Sequence, residues 1–216
     1  MRLLLTVVVV VLVLVVPRST PLIPWQMYEY RDGSFVLLPS PILLTPESSA
    51  PPLVSLSPCL PFVPPAWHVT ASALADVTGD GIPECVFLVW RPWRDWPIQR
   101  WSTIPSPIAD FHDAAGDSCH LILLDPSDGR EIWAGSALPA PLLALAIGDV
   151  DGDGWEEVVT LEGDYASGRH GPAARVDVWR WNGFGFTLVW RSPPGVFRQL
   201  RLTAAGNGGI LHVAVR

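Results

Sequence analysis

Leu145-Ala-Ile-Gly-Asp149-Val-Asp151-Gly-Asp153-Gly-Trp155-Glu-Glu157-Val-Val-Thr-Leu161 repeats, without a gap and 73 positions on, the stretch Ser72-Ala-Leu-Ala-Asp76-Val-Thr78-Gly-Asp80-Gly-Ile82-Pro-Glu84-Cys-Val-Phe-Leu88. Each copy is an apolar run, a bend dense in Asp and Gly, and a second apolar run rich in β-branched or aromatic residues, which predicts strand, turn, strand. Repetition at such a period marks an array whose units bury their faces only against one another. Around the later copy four strand segments follow in order: Leu142 to Asp149, Glu156 to Glu162, Ala174 to Trp181 and Phe186 to Arg191. Around the earlier copy they are His68 to Asp76, Glu84 to Arg91, Ser118 to Asp125 and Glu131 to Ala137. Four antiparallel strands per unit predict a propeller blade, so the expected fold class is all-β.

A third unit can be assembled from the two ends of the chain. Residues 197–204 and 210–215, joined by Gly206-Asn-Gly-Gly209, read as the first two strands of a blade, and the hairpin-like stretch 25–38 supplies the other two. The alternative is that residues 17–66 are all tether and the last blade stays half built. About three four-stranded blades fall short of the four to eight that close a ring. The array is then incomplete, or closed by oligomerisation of two chains.

The acidic bends are the candidate cation sites. Asp149, Asp151, Asp153 and Glu157 converge if the loop curls, and hard oxygens in that number call for a cation such as Ca²⁺, with the Trp155 carbonyl completing the set. The earlier bend offers Asp76, Thr78, Asp80, Glu84 and the Ile82 carbonyl. With a hydroxyl in place of one charge it is expected to bind more weakly, and the third unit, with Thr203, Ala205, Asn207 and Leu211 at these positions, not at all. An EF-hand requires Glu at position 12, where Thr160 stands. The strand followed by Asp149-Val-Asp151-Gly also suits a haloacid-dehalogenase-like phosphatase, but that scheme uses a Lys and the chain has none. Acidic turns without metal are the plain alternative.

The paired D-x-[DT]-G-D-G-x-x-E segments, each between two apolar strands, resemble the FG-GAP or VCBS-type repeats of integrin-alpha-like β-propellers. The resemblance covers residues 67–216 and extends to 25–38. It implies calcium in the loop between the first and second strands of a blade, stiffening the propeller without doing chemistry, in a protein of adhesion or scaffolding type.

Charge and composition narrow the remaining classes. The net charge is −7 and all 14 basic residues are Arg, which argues against nucleic acid and removes Lys chemistry. Leu3 to Val16 is an apolar run broken only by Thr6, expected as a signal peptide or an uncleaved membrane anchor, with 17–24 as a short tether. The chain is therefore expected to be extracellular, secreted or tethered at the cell surface. Nine Pro in positions 39–66 predict an extended linker. Cys59, Cys85 and Cys119 allow at most one internal disulfide, a bond between Cys85 and Cys119 is disfavoured, and the default expectation is buried or unpaired thiols.

On the face opposite the acidic bends, a long connection carries Trp93, Arg94, Trp96, Arg100 and Trp101, and its counterpart carries Tyr165, Arg169 and His170. Trp faces with Arg forks suit a protein or polysaccharide partner; the bland reading is that they pack the loop onto its blade. Asp110, His112, Asp113, Asp117, Cys119 and His120 are ligand types for a transition metal, though spacing does not orient them. No nucleophile elbow or triad spacing occurs, so the chain is not expected to be an enzyme. The sequence thus points to an exported calcium-binding module for binding or scaffolding. An accessory domain of a carbohydrate-processing enzyme and a self-associating structural fragment are the alternatives.

Overall fold

From Cys85 to Trp90 every side chain is buried, so this segment has no solvent face and must lie between two apolar layers. The computed structural model, which describes residues 25–39, 59–204 and 211–216, supplies both layers. Its strands are β1 (Gln26–Arg31), β2 (Ser34–Leu37), β3 (His68–Ala75), β4 (Glu84–Pro92), β5 (Asp117–Leu124) and β6 (Glu131–Ala134), then β7 (Leu142–Gly148), β8 (Glu157–Glu162), β9 (Arg175–Trp181), β10 (Phe186–Arg191), β11 (Leu200–Ala204) and β12 (Leu211–Val215). They form three four-stranded antiparallel sheets, ordered β3-β4-β5-β6, β7-β8-β9-β10 and β11-β12-β1-β2. The all-β class and the three units of four are present. Sheet three draws on both ends of the chain, with Gln26 paired to Val215 and Tyr28 to Val213. Each sheet is open; none closes on itself.

Side-chain alternation stacks the sheets face to face. Val86, Leu88 and Trp90 point from β4 toward sheet two, where Leu142 and Val158 meet them. Val159 and Leu161 join the second interface, shared with Val213, Val215, Tyr28 and Phe35 of sheet three. Sheet two is thus the middle layer, and its first strand β7 touches both β3 and β11.

The outer face of sheet one is covered by residues 59–67. Cys59, Phe62, Val63 and Trp67 pack on Phe87, Val89, Ile122 and Leu124. A disulfide joins Cys59 to Cys85, the one internal bond that three cysteines allow, which corrects the default expectation of buried or unpaired thiols. A 3-10 turn at Leu60–Phe62 lays the end of the Pro-rich stretch against β4, a return that composition does not announce. Cys119 is the free cysteine, its thiol pushed up to about 12 by burial. The expected leader and tether, positions 40–58 of the expected linker, and the bend of the third unit at 205–210 lie outside the described residues.

Strand direction sorts the connections to two ends of the stack. The acidic bends, loop one (76–83) between β3 and β4 and loop two (149–156) between β7 and β8, lie side by side: the Asp76 amide donates to the Glu156 carboxylate at 2.8 Å. At the opposite end, Arg169, in the connection after β8, pairs with Asp113, in the long connection after β4, and with Asp117, the first residue of β5. Phe197, just before sheet three, bridges Ala173 at this same end.

Candidate metal-binding loops and the opposite face

Each acidic loop is organised by its first and last carboxylates. Asp76 accepts the amides of Gly79 (2.8 Å), Asp80 (3.1 Å) and Gly81 (2.8 Å), and Asp149 accepts those of Gly152 (2.6 Å) and Gly154 (3.0 Å). Glu84 accepts the Val77 amide at 3.0 Å and the Thr78 hydroxyl at 2.7 Å; Glu157 accepts the Val150 amide at 3.1 Å. These glutamates open β4 and β8 and are almost fully buried, so they brace the loop to its second strand. Burial holds both carboxyls above the ordinary glutamate range, against the lowering effect of Thr78 at Glu84 and Arg180 at Glu157.

Asp76, Asp80 and Glu84 bring carboxylate oxygens within 4.8 Å of one another, as do Asp149, Asp151 and Asp153. The two sets differ in what neutralises them. In loop two the Arg180 guanidinium contacts Asp151, Asp153 (3.0 Å) and Glu157 (2.6 Å). Those carboxylates keep Arg180 firmly protonated despite the opposing cost of burial. Arg180 is absent from the motif reading because it lies on the next strand. Val158 pairs with Trp179, so Arg180 stands across from Glu157. In sheet one Cys85 pairs with Leu124, which puts Asp125 across from Glu84, and loop one has no guanidinium at this position.

Of the other expected ligand residues, Thr78 turns its hydroxyl to Glu84, Ile82 is solvent-exposed, and Trp155 lays its ring over Gly79 of loop one. A Cβ on Gly79 would sit 2.5 Å from that ring, on a backbone with φ of 74°. Gly81 has φ of 86° and open space around it. Gly79→Ala is therefore expected to cost about 1 kcal/mol more than Gly81→Ala in urea unfolding, and Trp155→Ala should recover that difference. Equal costs would mean that Trp155 does not dock on loop one.

At the opposite end the expected partner face divides in two. Trp93, Tyr165 and Arg169 turn inward. The Trp93 indole donates to the Ile108 carbonyl at 3.0 Å, the Tyr165 hydroxyl donates to the Leu138 carbonyl at 2.8 Å, and Arg169 lies over the Trp90 ring while pairing with Asp113 and Asp117. Arg94, Trp96, Arg100, Trp101 and His170 are exposed. The Asp110 to His120 set does not assemble. Asp113 and Asp117 are taken by Arg169, and His120, lowered to about 4 by burial, spends its ring nitrogens on the Gly135 carbonyl (2.9 Å) and the Ser118 hydroxyl (2.8 Å).

The chain matches no family model, no curated protein and no solved structure.

Proposed function

We propose that this protein is an exported or membrane-tethered module for binding or scaffolding, built as a propeller-type array whose acidic loops bind calcium. The observation that carries this reading is that the two sequence repeats fold into adjacent loops, each gathering three carboxylates around one point. Such a set repels itself, and Ca²⁺ accepts the mixture of carboxylate, hydroxyl and carbonyl oxygens that these loops offer. Calcium there would stiffen the junction between sheets one and two, which Glu156 and Trp155 already span. The Cys59–Cys85 disulfide supports an oxidising compartment.

Loop one is the stronger calcium site on this reading. Its Asp76, Asp80 and Glu84 pair with no guanidinium among the described residues, whereas an ion in loop two must displace Arg180 from Asp151 and Glu157. This reverses the ranking drawn from Thr78 alone. Raising calcium from chelator to 100 times the dissociation constant should stabilise the fold by about 2.7 kcal/mol, read as a rise in the melting midpoint. Asp80→Ala should remove most of that rise, and Asp151→Ala less. A midpoint indifferent to calcium would refute the calcium assignment.

A further inference from the structure

Residues 96–104 hold Trp96, Ile98, Trp101 and Ile104 out in solvent, Trp101 at 79% and Ile104 at 72% exposure. The loop is nonetheless fastened. The 3-10 turn Pro97–Arg100 is closed by the Gln99 amide on the Trp96 carbonyl and the Trp101 amide on the Ile98 carbonyl, both at 3.0 Å. Below it, the Asp95 carboxylate turns back to accept the Trp96 amide and the Ser106 hydroxyl, and Trp93 is tied to Ile108. A braced tip that presents four large apolar side chains is a surface for contact, since leaving that area wet forgoes its burial. Arg94 and Arg100 flank it, exposed and without an ion pair among the described residues.

Charge is sorted along the strand direction. The acidic-loop end sets Arg31, Arg130 and Arg180 against both acidic loops and Asp32, Asp125 and Asp128. At the other end Asp113, Asp117 and Glu162 are matched by Arg169 and Arg191. Asp164 turns its carboxylate to the Ala166 amide, and Asp110 stays exposed. Arg94, Arg100 and Arg198 remain at the surface, and Val196 is exposed as well. The chain also enters here, because β1 begins opposite the end of β12. Residues before Trp25, among them the apolar run 3–16, therefore join the domain from this side.

We infer that this end of the stack rests on an anionic lipid bilayer, with Trp96, Ile98, Trp101 and Ile104 entering the interface and Arg94 and Arg100 meeting lipid phosphates. Amphipathic Trp rings settle at the headgroup level, and each Arg near an anionic surface adds to the attraction. The opposite, acidic end is repelled by the same surface, which fixes the orientation.

The test uses the full chain in calcium-free buffer below its melting midpoint, so that it stands apart from the calcium assignment. Amide hydrogen exchange is followed by segment with vesicles of phosphatidylcholine alone and of phosphatidylcholine with phosphatidylglycerol. Exchange over residues 94–104 should slow by about fivefold or more with the anionic vesicles and change little with the neutral ones. Arg94→Gln with Arg100→Gln, and separately Trp96→Ala with Trp101→Ala, should lose that slowing at an unchanged melting midpoint. Equal exchange of this segment in buffer and in both kinds of vesicle would overturn the proposal, as would slowing by a soluble polysaccharide or protein in place of lipid.

Discussion

Arg180→Met should lower the melting midpoint in chelator by roughly 6–12 °C, the equivalent of about 3 kcal/mol in a domain of this size. The substitution keeps an apolar stem but leaves Asp151, Asp153 and Glu157 facing one another. Glu157 is 1% exposed, so water cannot replace the lost guanidinium, and removing one partner of a buried pair is costly for that reason. A third of the Arg180 side chain is in solvent, which places the effect at the low end of the range for such pairs. Calcium should then restore most of the loss, because the variant opens the carboxylates that Arg180 occupied. Calcium titration of the melting midpoint, variant against wild type, reads both effects. A variant that is destabilised and deaf to calcium would show that loop two is an internal ion-pair cluster and nothing more.

Removing the Cys59–Cys85 bond should cost about 2–5 kcal/mol, measured by urea unfolding of the Cys59→Ser, Cys85→Ser double variant. The bond closes a loop of 26 residues and fixes the covering layer over Phe87, Val89 and Ile122. Reductant should destabilise the wild type by the same amount and leave the double variant unaffected. If stability survives, apolar contact from Phe62, Val63 and Trp67 alone holds the layer in place.

Much of the architecture was legible because the repeat carried it. The gapless match between the two copies located β3, β4, β7 and β8 to within a residue or so, and turn chemistry placed β5, β6, β9 and β10. The hairpin-like pattern of 25–38 led to β1 and β2, which complete sheet three. What escaped were contacts set by register or by chain return. Arg180 belongs with Glu157 only once β8 and β9 are paired, and a motif scan along one segment does not look across a ladder. Cys59 sits in a Pro-rich stretch whose composition describes an extended chain, not where that chain comes back to rest. Trp93, Tyr165 and Arg169 could not be separated from Trp96 and Trp101 by residue type. Which ring faces inward depends on carbonyls such as Ile108 and Leu138 finding a donor.

The covering layer on sheet one also bounds how copies of this protein can assemble. A ring made from two chains would need a fresh blade to settle on Phe87, Val89 and Ile122, the area that the Cys59 segment occupies. Among the described residues, that covering segment takes sheet one out of use as a face for stacking another copy. The outer side of sheet three is likewise occupied, its Met27 and Ala214 buried in a cluster with Trp25 and Leu38.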